Sequence, residues 1–250
     1  MKMNAVMAAT VGVLLGALGT QSVQAAIALD RTRVIFNGSD KSVSLSVSND
    51  NKQQPYLAQG WLEDIQGNKI SSPLLVLPPL QRIEPGAKSQ IKVQALPAVT
   101  QLPQDRESVF YFNLREVPPR SNEGNTLQIA LQTRIKLFYR PKAIELTATD
   151  QATPWQEKVT LTRLGDKYQV NNPTPYFVTI VDASSKKGAQ SIKGFEPLMV
   201  APKSSGTLSV SANSLGNAPV LTYVNDYGGR PALSFNCVTS TCQVTPEKRG

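Results

Sequence analysis

TLQIALQTRIKLFYRP, residues 126–141, alternates apolar and polar side chains for longer than an ordinary strand does. Leu127, Ile129, Leu131, Thr133, Ile135, Leu137 and Tyr139 fall on one face. Gln128, Gln132, Arg134, Lys136 and Arg140 fall on the other, with Ala130 and Phe138 as exceptions. A period of two means a β-strand with one apolar face. Strands usually run to about six residues, so this one is expected to overhang the sheet that buries its second half. The overhang would offer an apolar row and an unpaired backbone edge to another chain, a feature that natural proteins suppress unless they use it.

Working outward, the first half of the chain reads as further strands at 30–36, 41–49, 56–64, 74–77, 89–96 and 108–116. They are punctuated by Asn37-Gly38-Ser39, Gln66-Gly67-Asn68, Glu84-Pro85-Gly86 and Asn122-Glu123-Gly124, all rich in residues that accept turn backbone angles. Strands at this spacing fit an immunoglobulin-like sandwich. The segment 142–154 reads as a connection and loop. A second series follows at 158–163, 167–171, 177–182, 206–211, 220–225 and 232–238. The fold class is therefore all-β, with two immunoglobulin-like β-sandwich domains and a cleft between them, the kind of place where ligands bind.

The first residues have the form of an export leader: Lys2, an apolar stretch from Ala5 to Gly19, and the small-residue pattern Val23-Gln24-Ala25. Cleavage is expected after Ala25, which divides the chain into a leader at 1–25, a first domain at 26–142 and a second at 147–250. Removal of Lys2 takes the formal charge from +8 to +7. Lys and Arg are dispersed, so the basic balance does not point to nucleic acid. Cys237 and Cys242 flank Val-Thr-Ser-Thr, and in an exported chain this spacing reads as a disulfide that closes a terminal hairpin. A zinc site is not expected, because two thiolates without a histidine leave the metal's shell short.

The chain has no histidine, which excludes Ser-His-Asp and Cys-His arrangements. Carboxylate-only hydrolysis would draw on Asp105, Glu107, Glu116 or Asp226, but no acid pair is framed by a sugar-binding aromatic platform. Binding is the better class, with neither a cofactor nor a small-molecule substrate expected. Lys136 lies on the polar face of the long strand and Arg33 in the first one. If both reach the base of the cleft they would grip a carboxylate; otherwise they are solvated surface charges.

At this point the residues resemble a known family, the periplasmic pilus-assembly chaperones of the PapD branch. The resemblance rests on LDRTRVIF, SNDNKQQPYLAQGW, PPLQRIEPG, LPQDRESVFYFNLREVPPR and LQIALQTRIKLFYRP in the first half, and on NPTPY and YVNDYGGRP in the second. It implies a boomerang of two domains that escorts pilin or fimbrial subunits without ATP and delivers them to an outer-membrane usher. Leu127, Ile129 and Leu131 would enter the groove that a subunit leaves by lacking a strand. Arg33 and Lys136 match the cleft residues that hold the subunit's C-terminal carboxylate. Glu107, Arg140 and Asp226 fall at the positions of a charge network between the domains. The short, cysteine-free loop 118–125 resembles the subclass serving rod-like pili, and Arg134 stands where the family pattern has lysine. When free, the exposed strand invites self-association. The alternative is a structural or adhesive fimbrial component, but such a protein carries its donor segment at the N-terminus, whereas here the overhang is internal.

Overall fold

A computed structural model describes residues 25–121, 124, 127–147 and 153–245. Residues 1–24 of the expected leader, most of the turn Asn122-Glu123-Gly124, part of the loop 118–125 and the middle of the 142–154 connection lie outside them. The described residues form an all-β molecule of two domains.

The first domain comprises β1 (Ile27–Leu29), β2 (Arg33–Asn37), β3 (Ser42–Asn49), β4 (Tyr56–Glu63), β5 (Lys69–Ile70), β6 (Leu74–Leu77), β7 (Leu80–Ile83), β8 (Lys88–Ala95), β9 (Ser108–Val117) and β10 (Gln132–Arg140). A four-stranded sheet in the order β1-β3-β8-β6 faces a larger one in the order β2-β10-β9-β4-β5, with β7 also on β4. Alternation puts Leu45 and Val47 of β3 and Ile91 and Val93 of β8 into the core, where they meet Phe36, Leu62, Phe112 and Leu137 of the facing sheet.

The second domain comprises β11 (Thr160–Leu164), β12 (Lys167–Asn172), β13 (Val178–Ser184), β14 (Leu198–Val200), β15 (Ser204–Thr207), β16 (Val220–Tyr223), β17 (Ala232–Val238) and β18 (Thr241–Val244). These follow one hydrogen-bonded path, β14-β13-β16-β17-β18-β11-β12-β15. The two layers join through β17, whose first residues pair with β16 and whose last residues pair with β18. Cys237 and Cys242 are direct cross-strand neighbours on β17 and β18 and form a disulfide.

Several expectations are corrected. The strand read at 30–36 begins only at Arg33, and a separate strand that was not expected, β1, precedes it; β1 pairs with β3 in one sheet and β2 with β10 in the other, so residues 30–32 carry the chain between layers. The strand read at 206–211 is β15, which ends at Thr207; Leu208 and Val210 are buried by the fold beyond it. The long strand begins only at Gln132. Residues 127–131 keep their sequence alternation, but a ladder needs a partner, and among the described residues one backbone bond, from the Glu116 N–H to the Leu131 carbonyl, is found there. The 142–154 connection serves both domains. The Glu145 carboxylate accepts hydrogen bonds from the Ser39 amide and hydroxyl, while Ile144 and Leu146 pack against the second core.

Each domain also buries an asparagine at the end of a strand. Asn49 donates to the carbonyls of Gln54 and Ile83 and accepts from the Asn51 amide. Asn172 donates to the carbonyls of Tyr176 and Ala201 at 2.7 and 3.0 Å and accepts from the amide and hydroxyl of Thr174. Loop carbonyls turned into a core need donors, and an amide side chain supplies them. Asn172→Leu leaves these groups unpaired and is expected to lower stability by about 2–4 kcal/mol, read as an earlier urea midpoint, whereas a neutral effect would mean that the loop re-forms its bonds elsewhere.

Candidate functional site in the interdomain cleft

The even-numbered face of β10 turns away from the first core and toward the second domain. β2 pairs with β10 in parallel, with Arg33 opposite Lys136, Ile35 opposite Phe138 and Asn37 opposite Arg140. This register places two cations side by side on one face. It also explains the apolar exception in the alternation, because the Phe138 ring lies 5.6 Å from that of Phe177 in the second domain.

Arg140 is the most enclosed charge, with 3 % of its surface exposed. Its Nε donates to Glu107 Oε1 and its Nη1 to Asp226 Oδ2, both at 2.9 Å. Nη2 lies 2.8 Å from the same Glu107 oxygen but lacks hydrogen-bond alignment. The guanidinium lies over the Tyr176 ring. The second Glu107 oxygen accepts the Phe177 N–H at 2.8 Å, and the Glu107 amide donates to the Pro175 carbonyl. The three residues therefore join the entry to β9, the end of β10 and the loop after β16. Further bonds from the Tyr176 hydroxyl to the Ile144 carbonyl and from Lys203 to Asp105 support the junction. So does the close approach of Gly228 to Thr32: a Cβ on this glycine, at φ +83°, would lie 2.5 Å from the threonine hydroxyl.

Arg33 and Lys136 differ from these satisfied groups. Arg33 Nη1 donates to the Val224 carbonyl at 2.9 Å, yet its Nε is buried without a partner. The Lys136 ammonium has no assigned hydrogen bond or ion pair among the described residues. By contrast Arg134, one alternation earlier, is paired with Glu63 and lies over the Tyr111 ring. Burial holds both Arg33 and Lys136 below their ordinary values, and Lys136 is lowered further by the neighbouring guanidinium. Two half-buried like charges opposite each other on paired strands make an arrangement that an anion would stabilise. A cavity of about 530 Å³ opens beside Arg33, walled by Ile35, Arg140, Trp155, Tyr223 and Asp226.

The overhang adjoins this pair. β9 pairs with β10 from Gln132 to Tyr139, but β2 pairs only from Lys136 onward, so among the described residues one edge of residues 132–135 has no strand beside it. Upstream, Leu127 and Ile129 are 84 % and 59 % exposed, and Leu131 is half-buried.

The carboxylates weighed for hydrolysis are engaged elsewhere: Asp105 with Arg106 and Lys203, Glu107 and Asp226 with Arg140, and Glu116 with backbone amides. Phe177, the Val224 carbonyl and Gly228 escaped the reading from sequence. The only signal for them was the apolar exception at Phe138 and the paired glycines of YVNDYGGRP.

Burial pushes Glu107 from 4.5 up to about 7, against the pull of Arg140 and the Phe177 N–H. Because the folded value lies above the unfolded one, the native chain holds a proton that the unfolded chain has released. The group therefore adds stability as pH falls from about 7 toward 4.5, with no further gain below that. Glu107→Gln is expected to flatten this part of the curve of urea midpoint against pH. An unchanged curve would show that the carboxylate stays ionised beside Arg140.

Comparison with known proteins places these features in a wider group. Residues 26–145 match the family model described as pili and flagellar-assembly chaperone, PapD N-terminal domain, and residues 154–235 match that of the pili assembly chaperone PapD, C-terminal domain. The chain is 54 % identical over 241 residues to the probable fimbrial chaperone YfcS of Escherichia coli K12, covering 96 % of this chain and 94 % of that protein. It is 51 % identical over 225 residues to the chaperone protein PapD of Escherichia coli, covering 90 % and 92 %. Among solved structures it is similar to the Salmonella enterica SafA pilin in complex with the SafB chaperone, with TM-score 0.70, 27 % identity and coverage of 87 % and 99 %. The periplasmic chaperone SfaE gives TM-score 0.67, 30 % identity and coverage of 83 % and 98 %.

Proposed function

The chain belongs to the PapD family of pilus-assembly chaperones, and from that premise we propose that it works in the periplasm. There it holds pilin or fimbrial subunits by lending them a strand and passes them to an outer-membrane usher without consuming ATP. The observation that carries this reading is the open edge of β10, which ends where Lys136 lies opposite Arg33.

Direction follows from register. β2 runs parallel to β10 and starts at Arg33 opposite Lys136. A subunit strand laid along residues 132–135 takes the place that β2 would hold if it extended backward. A carboxylate lying on Arg33 and Lys136 must then be the last group of that strand, so the subunit strand runs parallel to β10. In this pose Leu127, Ile129 and Leu131 point into the subunit groove. Chaperone–pilin pairing is a standing instance of such strand addition, and the pilin complex of the SafB chaperone supports extending it to this protein.

The magnitudes suffice without nucleotide. Each apolar anchor gains about 1.5–3 kcal/mol on full burial, and charge-assisted hydrogen bonds to the carboxylate contribute about 1.5–3 kcal/mol each. Simple dissociation would expose the apolar surfaces of both partners, so release by exchange with another subunit's strand at the usher is the easier route. In the free protein the same residues invite a second copy. We assign the two modules to residues 26–142 and 147–250, with Glu107, Arg140 and Asp226 setting their relative orientation.

Co-expression with candidate subunits from the same organism tests the cleft. Lys136→Ala is expected to lose the equimolar periplasmic complex while keeping the wild-type urea midpoint; equal recovery would remove the carboxylate anchor from the mechanism. Ile129→Glu puts a charge into the subunit groove and is expected to lower complex yield at least tenfold, the equivalent of about 1.4 kcal/mol. An undiminished yield would show that another register is used.

A further inference from the structure

Glu116 brings a second buried carboxylate to the other end of β9, with 5 % of its surface exposed. Its Oε2 accepts from the backbone nitrogens of Ala26 at 2.7 Å and Ile27 at 3.0 Å, and its Oε1 accepts from that of Leu131 at 3.3 Å. Its own amide donates to the Leu131 carbonyl at 3.0 Å. One side chain thus ties the residues entering β1 to the root of the exposed segment. Ala26 is itself buried, and its carbonyl accepts from the Asp50 amide at 2.7 Å.

The charge of Glu116 is not balanced by a basic side chain, since no ion pair is assigned to it among the described residues. Charged groups on flanking elements are turned elsewhere: Asp50 accepts from Ser48, Arg115 donates to Gln59 across the outer face, and Arg82 of β7 pairs with Glu84. A buried carboxylate held only by neutral amides bears a desolvation cost that a cation at the same point would offset.

Ala26 is the residue that cleavage after Ala25 would turn into the start of the chain. In that hydrolysis the water hydroxyl adds to the Ala25 carbonyl carbon and Ala26 keeps its nitrogen as an amine. The amine is protonated at neutral pH, because α-amino groups titrate at about 7.7–8.0. We propose that leader removal converts the bond from Ala26 to Glu116 into a buried ion pair, and that this pair fixes the root of the donor segment through Leu131. Glu116 is then a positioning residue that maturation switches on, and the uncleaved chain holds Leu127 to Leu131 less firmly than the mature one. The inference rests on the reading of Ala25 as the last leader residue.

Intact mass and N-terminal sequencing of the periplasmic protein come first. A start anywhere but Ala26 overturns the leader reading and this inference with it. With the start at Ala26, three forms are compared by NMR titration and amide exchange: the mature chain, the same chain retaining Ala25, and mature Glu116→Gln. The α-amine of the mature chain is expected to titrate about 1 to 3 pH units above its ordinary value, as a carboxylate neighbour requires. The stabilising pair is intact below the ordinary value and lost as pH rises through the raised one. Across that rise the protection of the Leu131 amide is expected to fall about tenfold in the mature chain. In the other two forms it should show no such step and resemble the deprotonated mature chain. If Glu116→Gln does not fold, acetylation of the mature amine replaces it, removing the charge and leaving an N–H. An ordinary titration of Ala26, or equal Leu131 protection with Ala25 retained, overturns the inference while leaving the leader reading intact.

Discussion

A single buried guanidinium joins the two domains. Arg140 reaches Glu107 with one edge and Asp226 with another, and it presents its face to Tyr176. A lysine ammonium would not serve, because only the planar fork reaches acceptors in two directions while stacking on a ring. Glu107 in turn accepts the Phe177 amide and donates its own to Pro175, so the network is continuous with the backbone of both domains. Removal of the guanidinium would leave a carboxylate buried among apolar groups, and the cost of an uncompensated charge exceeds the gain from the pair that it replaced. Arg140 thus links the strand of the first domain to the loop after β16 in the second through two carboxylates.

That junction gives the even face of β10 a meaning that extends along the strand. Going back by alternate residues from Arg140, Phe138 packs on Phe177 and Lys136 stands beside Arg33. The odd face, through Ile135, Leu137 and Tyr139, fills the first core. A strand buried on both sides over its last residues cannot slide, since a slip by one would exchange the faces. The register that places the two cations together is thus held from behind by the first core and from the front by the second domain. The edge left open ahead of Arg33 ends at a defined point.

Much of this was legible in the alternation, which reports the faces of a strand with little ambiguity. It gave the core face of β10 and the apolar row at Leu127, Ile129 and Leu131. It could not say where the ladder stops, because hydrogen bonding depends on neighbours remote in sequence, and the segment 127–131 reads as strand although no strand lies beside it among the described residues. Short strands such as β1, β5, β7, β14 and β18 hold too few residues to show a period. Arg33 and Lys136 were legible as cations on strands, but their adjacency belongs to the parallel pairing of β2 with β10, which no local pattern encodes. The structural part of Glu116 was not legible for the converse reason. An acid in a strand suggests chemistry, and only the fold shows three amides converging on it.

The cation pair also bears on selectivity under the proposed reading. Burial disfavours the charged forms of Arg33 and Lys136, and at Lys136 the neighbouring guanidinium adds to it, so a carboxylate there relieves an unfavourable state besides forming hydrogen bonds. Acidic side chains are common on any subunit surface, but they project across a strand. A terminal carboxylate continues along it. The open edge of β10 runs in line into the pair, so only a group at the end of an extended backbone reaches both cations while its chain keeps the ladder. Charge alone would admit many partners; charge placed at the end of a strand site admits chain ends, and that restriction discriminates against folded proteins whose termini are tied down.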